Sequence, residues 1–456
     1  MGDDVIGSMS LSQISSVTGG EYRGEDVRFA RVSTDTRTLQ QDDLYVALRG
    51  ENFDGNEFVS QAFDKGACAA VVSAALNLER PHVQVKDTTV ALGEIARLNR
   101  QASRARVVAI TGSQGKTTVK EMIAAILGVA NKVLVTRGNL NNHIGVPLTL
   151  LALDASHECA VIELGASGLG EIAYTVRLAM PHVAVLTNAA ATHIEGFGDL
   201  AGVVRTKGEI IDGLLDGGVA VLNADDVHFE QWRARAGDKV VLSFGLRDAA
   251  DYRASDIRLY ESGSSVFTLH TPHGTAEIQL ALAGSHNVRN ALAAAAAAMA
   301  AGASLDQVRQ GLAQVAPVPG RLNWLTGRSG VRLIDDSYNA SPASFRAAID
   351  VLAALPGHRV LIVGDMGELG EQSESAHAEL GQYAREKGVD ALWATGVYSA
   401  LAARSFGPDG RHFATQDALI AEARQTLGKN DVVLVKGSRS AAMDRVIAQL
   451  KQGESE

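Results

Sequence analysis

The most regular feature of the chain is a short apolar run followed by a helical spacing of apolar and polar residues. After Arg106 the run VVAIT predicts a buried strand, GSQG predicts a turn, and residues 116–127 have a helical pattern that Gly128 ends. Four similar apolar runs follow, which are KVLVT, CAVIEL, VAVLTN and GVAVLNAD. Strands that alternate with helices in this way are typical of a mostly parallel sheet covered by helices.

The same kind of pattern occurs on both sides of this central part. Before it, the strand-like runs DDLYVALRG and CAAVVSA flank a helical pattern over residues 57–65. After PVPGR at 317–321, whose prolines and glycine interrupt the pattern, the strand-like runs are VRLIDDS, RVLIVGD, ALWATG, RHFATQ and DVVLVKG. We therefore predict an α/β protein with a small N-terminal α/β domain over 1–105, a central domain over 106–318 and a C-terminal, doubly wound Rossmann-like domain over 319–456.

Two segments of the central domain differ from its alternation of strands and helices. VFTLHTPHGTAEIQLAL has alternating apolar residues around a turn at residues 272–274, which predicts a β-hairpin extension. The Ala-rich stretch over residues 291–305 falls short of the roughly 18 strongly apolar residues of a membrane helix. Because Arg289 and Asp306 flank it, we expect a packed helix there and no membrane insertion.

Composition narrows the class of protein further. The 456 residues are 46% hydrophobic and 21% charged, as in a folded globular chain, and the net charge of −10 disfavours nucleic acid as a partner. Cys68 and Cys159 both lie in apolar contexts, so we expect neither a disulfide framework nor a cysteine zinc site. The N-terminal MGDDVIGS has no apolar core, so we expect no signal peptide and a cytoplasmic protein.

The segment TGSQGKTT, residues 111–118, lies between a predicted strand and a predicted helix. Backbone amides of such a loop bind phosphate oxygens, Lys116 supplies a positive charge, and Thr117 offers a hydroxyl ligand to Mg²⁺. The general pattern G-x-x-x-x-G-K-[ST] is matched only in part, because Ile110 stands where the first glycine belongs. A Gly-rich turn with a surface lysine is the alternative, but the flanking strand and helix favour a phosphate-binding loop for ATP.

The class of reaction that uses the ATP can be inferred by excluding kinases and GTPases. We identify neither a positioned base for a hydroxyl, as a kinase needs, nor the guanine-reading residues and switch loops of a GTPase. Activation of a carboxylate remains, because phosphorylation gives it a leaving group that an amine can displace. That chemistry needs metal ions and positive charge where the oxyanion develops. An ATP-dependent ligase is favoured, and a non-ligating nucleotide-binding regulator is the alternative from another class.

Six motifs spread over nearly the whole chain resemble those of the Mur ligase family. They are TGSQGKTT, ELGAS at 163–167, THIEGFG at 192–198, GSHNVRNALAAA from 284, PGR at 319–321 and DDSYNASP from 335. NLNNHIGVPLTLL, GDMGELG and VLVKGSRSAAM are closest to the branch that joins D-alanyl-D-alanine to UDP-N-acetylmuramoyl-tripeptide in peptidoglycan precursor synthesis. The branch that adds the third residue carries Asp-Asn-Pro-Arg, which this sequence lacks. The resemblance implies ligation through an acyl phosphate and a tetrahedral intermediate, with ATP and Mg²⁺.

The resemblance also implies roles for residues of the central domain and the segment after it. The catalytic set is Lys116, Glu163, His193, Lys207 and Arg321, and the Mg²⁺ ligands are Thr117, Glu163, His193 and Lys207, the last as a carbamate. The ATP-binding set is Gly112, Ser113, Gln114, Gly115, Lys116, Thr117, Thr118, Asn287, Asn290, Arg321 and Asp336. Other roles stay open, namely an ordinary strand-end carboxylate at Glu163, a solvated lysine at Lys207, a helix cap at Asn287 and an interdomain salt bridge at Arg321.

Substrate-binding residues are implied in all three domains. They are Ser33, Asp35 and Arg37 for uridine diphosphate, Asn139, Asn142 and His143 for the muramoyl-peptide, and Lys436, Ser438 and Arg439 for the dipeptide. Asn, Ser and Asp are also common turn residues, so a purely structural role stays open for the first two groups. Tyr338 stands where some relatives have a lysine, so that lysine's phosphate contact is not carried over.

We accordingly expect a monomer that binds the UDP-tripeptide and D-alanyl-D-alanine, with no nucleic acid partner. The alternative within the enzyme class is an amide ligase of the same superfamily that adds a single amino acid, either the third-residue-adding type or the folylpolyglutamate type. The folylpolyglutamate type lacks the N-terminal UDP domain, so VSTDTR argues against it. The sequence does not distinguish diaminopimelate from lysine at the third position of the tripeptide.

Overall fold

The structure, a computed structural model, describes residues 7–75, 78–192, 194–247, 249–260 and 263–451. Within these ranges the chain forms three successive domains, each organised around one mainly parallel sheet. Helices cover the sheets, which confirms the predicted α/β class with three domains.

The N-terminal domain is built from short strands and three helices. In chain order these are β1 (Met9–Ser10), α1 (Leu11–Thr18), β2 (Glu21–Arg23), β3 (Arg28–Phe29), β4 (Val32–Ser33), β5 (Leu44–Val46), β6 (Arg49–Gly50), β7 (Phe53–Asp54), α2 (Val59–Asp64), β8 (Ala69–Val72), β9 (His82–Gln84) and α3 (Thr88–Ala102). The main sheet has the order β2-β9-β8-β5-β4, antiparallel only between β2 and β9. The helix predicted over 57–65 is split, because a 3-10 turn over Gly55–Phe58 precedes α2.

The central domain holds the predicted phosphate loop. Its elements are β10 (Arg106–Thr111), α4 (Lys116–Leu127), β11 (Val133–Val135), α5 (Gly145–Leu151), β12 (Cys159–Glu163), α6 (Glu171–Ala179), β13 (Val183–Leu186), α7 (Ile194–Phe197), α8 (Leu200–Asp212), β14 (Val219–Asn223), α9 (Phe229–Ala236), β15 (Val240–Phe244), β16 (Arg253–Leu259), β17 (Ser265–Thr271), β18 (Gly274–Leu280), α10 (Ser285–Ala300) and α11 (Leu305–Ala313). Six strands form a wholly parallel sheet of order β11-β12-β10-β13-β14-β15, which confirms the strand–turn–helix prediction around residues 106–127.

The two atypical segments of this domain also fold as predicted. Strands β17 and β18 pair antiparallel through the turn at Pro272 and His273, and β16 extends them to a three-stranded sheet. The Ala-rich stretch lies in α10 as far as Ala300, where the helix predicted to reach residue 305 ends, and every residue from Ala291 to Ala298 is inaccessible to solvent. Because alanine is small on every side of the helix, α10 packs closely between the sheet and α4 and forms part of the core.

The C-terminal domain repeats the alternation. Its elements are β19 (Asn323–Thr326), β20 (Arg332–Asp336), α12 (Pro342–Ala353), β21 (His358–Val363), α13 (Ser373–Glu386), β22 (Ala391–Thr395), α14 (Ser399–Phe406), β23 (Gly410–Phe413), α15 (Gln416–Thr426), β24 (Asp431–Lys436) and α16 (Asp444–Leu450). The sheet order is β19-β20-β24-β21-β22-β23, parallel except at β19. Thus β24, last along the chain, lies between β20 and β21, and the loops after these three strands meet at one edge.

Helix α3 attaches the N-terminal domain to the central one. Asn99 Nδ2 donates to the carbonyls of Leu150 and Leu153, at 2.9 and 3.0 Å, at the end of α5. Arg100, which is also buried, donates to two carbonyls at the end of α6. These hydrogen bonds run from buried side chains of α3 to carbonyls at the carboxyl ends of α5 and α6, so α3 is fixed to both helices. Over the described ranges, no helix is both long and apolar enough to span a membrane.

Candidate active site

A cavity of about 760 Å³ lies where the carboxyl ends of the central and C-terminal sheets face each other. Most of the site residues indicated by the sequence line it. These are Ser113, Gln114, Gly115, Lys116, Thr117, Thr118, Asn139, Asn142, Glu163, Asn287, Asn290, Arg321, Asp336, Lys436, Ser438 and Arg439. The two domains therefore contribute to one cavity, and neither domain forms it alone.

The phosphate loop is held open by its glycines and by neighbouring strands. Gly115 has a φ of 80° and precedes α4, so the first amides of that helix point into the cavity. Gly112 has a φ of 145° and lies outside the cavity lining, where a side chain would collide with Thr187 Oγ1. Asn188 Oδ1 accepts from the amide of Gln114 at 2.9 Å. These contacts fix the loop in the shape that a phosphate group requires.

Lys116 lies within this loop and faces its backbone. Its Nζ donates to the carbonyl of Gly112 at 2.7 Å. Burial lowers the pKa of the Lys116 ammonium, while Glu163 raises this pKa and Arg321 lowers it. An anion entering the loop would replace the solvation that Lys116 has lost, so the site favours a phosphate.

Glu163, at the carboxyl end of β12, has one unsatisfied oxygen. Its Oε1 accepts from Asn141 Nδ2 at 2.8 Å, whereas the buried Oε2 accepts no hydrogen bond. Lys120 Nζ lies 3.9 Å from Oε2, so that contact is electrostatic only. A buried carboxylate oxygen without a donor fits a cation ligand. Within the described part of the chain no three His, Cys, Asp or Glu side chains cluster as a metal site, so other oxygens must complete the shell.

Lys207 lies on α8, just behind the cavity wall. It is 2% exposed, and its Nζ donates to the carbonyl of Ala166, a lining residue, at 3.4 Å. Burial, with the charge of Lys116 as a second cause, lowers the pKa of Lys207 to about 7. A large share of the Lys207 amine is therefore neutral at pH 7, which excludes the solvated-lysine interpretation and makes the amine a nucleophile for CO₂.

The start of α10 forms another part of the wall. Asn287 Nδ2 donates to the carbonyl of Ala283, and Asn287 Oδ1 accepts from Asn290 Nδ2 at 3.2 Å. A side chain at Gly115 would come within 2.6 Å of Asn290 Oδ1, so α10 touches the phosphate loop. Burial lowers the pKa of His286, next in this wall, to about 4. His286 is thus neutral at physiological pH and contributes no charge.

Arg321 connects the C-terminal domain to the phosphate loop. Its Nη2 donates to Thr117 Oγ1 at 3.0 Å, and its guanidinium lies 4.4 Å from the ring centroid of Tyr338. Gln114 Nε2 also crosses between the domains, to Ser341 Oγ at 3.0 Å. No carboxylate among the described residues forms an ion pair with this guanidinium, so the interdomain contact leaves its charge available to the cavity.

A buried ion pair lies at the ends of β20 and β24. Lys436 Nζ donates to Asp336 Oδ2 at 2.7 Å and to the carbonyl of Asn339 at 2.9 Å. Burial raises the pKa of the Asp336 carboxyl, and the Lys436 ammonium acts in the opposite direction. Ser438 and Arg439 follow Lys436 on the same loop, so the cavity gains a positive side chain at its outer part.

Seven of the indicated residues lie outside the cavity lining or outside the described residues, and two of them, Gly112 and Lys207, are described above. Ser33 ends β4, and Asp35 and Arg37 lie in the turn after it, where Arg37 pairs with Asp35 at 2.6 Å and lowers the pKa of that carboxyl to about 2. His143 does not line the cavity, although its neighbour Asn142 does. His193 lies outside the residues that the structure describes.

The sequence reasoning missed several polar residues of the wall. Asn141 donates to Glu163, whereas its neighbour Asn142 accepts from the amide of Gly145, the first residue of α5, at 2.8 Å. Nothing in NLNNHIG distinguishes the three asparagines, because the difference depends on which strand the loop covers. Glu171 and Glu368 also line the cavity. In the sequence, only its place at the start of a helix indicated Glu171, and only its place in a loop after a strand indicated Glu368.

The fold and the cavity define a three-domain α/β enzyme that binds a nucleotide phosphate between two domains. Family models for the "Mur ligase family, catalytic domain", the "Mur ligase middle domain" and the "Mur ligase, glutamate ligase domain" match residues 28–125, 110–298 and 320–439. The chain belongs to the Mur ligase family.

Relatives over the full length agree with this assignment. The UDP-N-acetylmuramoyl-tripeptide–D-alanyl-D-alanine ligase of Escherichia coli is 47% identical over 98% of this chain and 99% of its own. A crystal structure of MurF from Acinetobacter baumannii superimposes with a TM-score of 0.91 at 37% identity, covering 97% and 98% of the two chains. The MurF ligase of Thermotoga maritima, solved in complex with ADP, has a TM-score of 0.82 at 29% identity, covering 92% and 96%.

Proposed function

We propose that this enzyme joins D-alanyl-D-alanine to UDP-N-acetylmuramoyl-tripeptide and forms the pentapeptide, ADP and phosphate. The observation that carries the proposal is the single cavity in which the phosphate loop, Arg321 and Arg439 meet. Relatives that cover the whole chain are named for this reaction, and one was solved with ADP. The ADP in that relative supports ATP as the nucleotide.

The reaction starts with the tripeptide's terminal carboxylate, which attacks the γ-phosphorus of ATP, displaces ADP and becomes an acyl phosphate. Lys116 and the amides at the start of α4 hold the phosphates, and Arg321 approaches the γ-phosphate from the C-terminal domain. The amine of the dipeptide then attacks the acyl carbon, and phosphate leaves from the tetrahedral intermediate. Positive charge from Lys116 and Arg321 would stabilise the transferring phosphoryl group in the first step and the tetrahedral oxyanion in the second, so both residues would act on the transition states.

Thr117 and Glu163 are the described residues that would hold Mg²⁺. The unpaired Oε2 of Glu163 and the hydroxyl of Thr117 are oxygen donors of the kind this ion prefers. Carbamylation of Lys207 would add an anionic oxygen ligand, and its neutral amine at pH 7 makes that modification feasible. His193 remains part of the proposed set from the family resemblance. When bound, Mg²⁺ neutralises phosphate charge near the acceptor carboxylate.

The three domains divide the substrates among them. Residues 1–105 would hold the UDP-sugar at Ser33, Asp35 and Arg37, and Asn139, Asn142 and His143 would face the muramoyl-peptide. Residues 106–318 would hold ATP, with Asn287 and Asn290 contacting the nucleotide, and Asp336 of the C-terminal domain would contact it as well. Residues 319–456 would bring the dipeptide to Lys436, Ser438 and Arg439. The UDP site is supported by a carboxylate–guanidinium turn that is already formed, although it lies apart from the ATP cavity.

The cellular compartment of the enzyme is inferred from its substrates and its thiols, and its oligomeric state is proposed with it. Both cysteines are unpaired, as in a reducing compartment, so we place the enzyme in the cytoplasm, where nucleotide substrates are made. We also propose that the enzyme is a monomer. Light scattering of the purified enzyme tests the monomer, and a dimer at micromolar concentration contradicts it.

Product mass separates this function from the alternative that a single amino acid is added. The enzyme is incubated with ATP, Mg²⁺ and the UDP-tripeptide, together with either D-alanyl-D-alanine or single amino acids. We expect the pentapeptide mass with the dipeptide and no ligated product with D-alanine or L-lysine. A product with a single amino acid but none with the dipeptide overturns the assigned amine substrate.

A further inference from the structure

A short turn with a fixed backbone carries Arg321 into the cavity. The residues on either side, Gly320 with a φ of 75° and Leu322 with a φ of 49°, both lie in the left-handed region. The amide of Gly320 donates to Asp335 Oδ2 at 3.1 Å. The amide of Leu322 donates to Asp336 Oδ1 at 3.2 Å. The backbone of Arg321 is therefore held before a nucleotide binds, but its long side chain still has to be directed.

Tyr338 supplies a surface against which that side chain lies. Its amide donates to the carbonyl of Gly320 at 3.1 Å, and a side chain added at Gly320 would come within 3.0 Å of the Tyr338 Cβ. Tyr338 is half-buried and lines the cavity, and its ring centroid lies 4.4 Å from the Arg321 guanidinium. The ring is thus tied to the same turn that carries the arginine.

An aromatic ring holds a guanidinium differently from a carboxylate. The ring attracts the cation without a full negative charge, whereas a carboxylate would accept from its N–H groups and neutralise it. One of these groups, on Nη2 of Arg321, donates to Thr117 Oγ1, toward the phosphate loop. Tyr338 therefore restricts the position of the guanidinium and leaves its charge available for a phosphate.

A second guanidinium, that of Arg439, lies farther from the same ring. Its distance to the Tyr338 ring centroid is 6.0 Å, at the limit of a cation–π contact. Arg439 also has a carboxylate partner, because its Nη1 lies 3.5 Å from Asp444 Oδ2. Of the two arginines, Arg321 is accordingly the one that the ring holds.

We propose that Tyr338 is a positioning residue whose ring directs the Arg321 guanidinium at the γ-phosphate during phosphoryl transfer. The inference rests on the proposed function, because it takes Arg321 to act on that phosphate. ATP would displace the contact between Arg321 and Thr117, so the ring is the contact that remains to direct the guanidinium. Misplacement of such a group by about 1 Å can cost on the order of a hundredfold in rate.

Two variants separate the ring from the hydroxyl of Tyr338. Tyr338→Leu removes the ring, and Tyr338→Phe keeps it. Tyr383→Leu is the matched control, because the ring centroid of Tyr383 also lies close to a guanidinium, 4.6 Å from that of Arg346, but outside the cavity lining. Tyr338→Met, with a flexible side chain that fills irregular space, repeats the test if Tyr338→Leu does not fold.

The first readout is kcat for phosphate release at saturating ATP, UDP-tripeptide and D-alanyl-D-alanine. We expect Tyr338→Leu to lose at least about tenfold, Tyr338→Phe to lose less than about threefold, and Tyr383→Leu to be unchanged. Affinity for ADP, which lacks the γ-phosphate, is measured by calorimetry and should stay within about threefold in all three variants. Equal losses of kcat in Tyr338→Phe and Tyr338→Leu, or a loss of ADP affinity as large as the loss of kcat, overturn the proposal.

A double-mutant cycle with Arg321→Ala separates positioning from a general structural effect. In the Arg321→Ala background, Tyr338→Leu should lower kcat by less than about twofold, because no guanidinium is left to direct. A further loss as large as in the unchanged enzyme would show that Tyr338 acts independently of Arg321, and the proposal would be wrong. If the unchanged enzyme releases no phosphate with both substrates, the proposed function fails and this inference with it, whereas a fully active Tyr338→Leu overturns the inference alone.

Discussion

Arg321 Nη2 and Thr117 Oγ1 lie 3.0 Å apart, so the segment that opens the C-terminal domain touches the helix of the phosphate loop. Thr117 is a proposed Mg²⁺ ligand and Arg321 a proposed contact of the γ-phosphate. Since guanidinium groups only donate, the threonine oxygen is the acceptor here. ATP would exchange this contact for one between Arg321 and a phosphate oxygen, so the contact links domain position to nucleotide binding.

Replacement of Arg321 by alanine is expected to lower kcat by about 10²–10³, the usual cost of one donor to a developing oxyanion. Arg321→Lys should not restore the rate, because a lysine keeps the charge but loses the planar stack on Tyr338. Phosphate release at saturating substrates measures both. Arg328→Ala, at an exposed position outside the cavity lining, is the control. If kcat of Arg321→Ala stays within about threefold of that of the unchanged enzyme, Arg321 does not contribute to the chemical step.

Glu163→Gln is expected to raise the Mg²⁺ concentration for half-maximal rate by at least about tenfold, because an amide is a weaker ligand than a carboxylate. Activity is titrated against Mg²⁺ at fixed ATP. Glu121→Gln removes a carboxylate that also lies beside Lys120 but does not line the cavity, and its Mg²⁺ dependence should be unchanged. Identical titrations for Glu163→Gln and the unchanged enzyme would exclude Glu163 as a metal ligand.

Lys207 makes stability depend on pH in a defined direction. Its pKa falls from 10.5 to about 7 on folding, so the unfolded chain binds more protons between these values and stability rises with pH. Lys207→Met lacks this dependence. In CO₂-free buffer we expect the free energy of unfolding of the unchanged enzyme to rise relative to that of Lys207→Met. The expected rise is up to ~1.4 kcal/mol per pH unit between about pH 7 and pH 9.

The measurement is chemical denaturation of both proteins at each pH. Lys429→Met, at an exposed site, supplies the baseline for losing a lysine. Lys207→Met should also be more stable than the unchanged enzyme at pH 7, yet inactive. A difference between the two proteins that stays constant from pH 7 to pH 9 would contradict a lowered pKa at Lys207.

The Asp336–Lys436 pair lends itself to a double-mutant cycle. Lys436→Met leaves a buried carboxylate without its cation, and we expect a loss of about 3–5 kcal/mol in the free energy of unfolding. Adding Asp336→Asn should recover most of that loss, because no charge then remains buried. Urea denaturation gives all four values. Additive effects of the two substitutions would show that the pair is not coupled.

Local structure in this protein could be predicted from the sequence, whereas contacts between residues far apart in the sequence could not. The strand, turn and helix around Lys116 were predicted because apolar periodicity and two glycines act within twenty residues. The Asp336–Lys436 pair joins residues a hundred positions apart, and it exists because β24 inserts beside β20. Strand order depends on the whole packing, so no local pattern indicates it.

The site shows the same division between local and distant signals. The carboxylate of Glu163 could be placed at a strand end, but its amide partner Asn141 comes from a loop after another strand. The lowered pKa of Lys207 depends on burial by neighbours that the helix pattern alone does not reveal. The left-handed backbone of Glu368 had no sequence signal either, since glutamate rarely adopts it.

The central claim is that one cavity couples ATP cleavage to the joining of a carboxylate and an amine. Phosphate release from ATP with Mg²⁺ and the UDP-tripeptide, with D-alanyl-D-alanine present or omitted, tests it most directly, and Lys116→Ala serves as the inactive control. We predict sustained release only when both substrates are present, with less than about a tenth of that rate for Lys116→Ala. Release at the same rate without the dipeptide would contradict the coupling and favour a nucleotide-hydrolysing regulator.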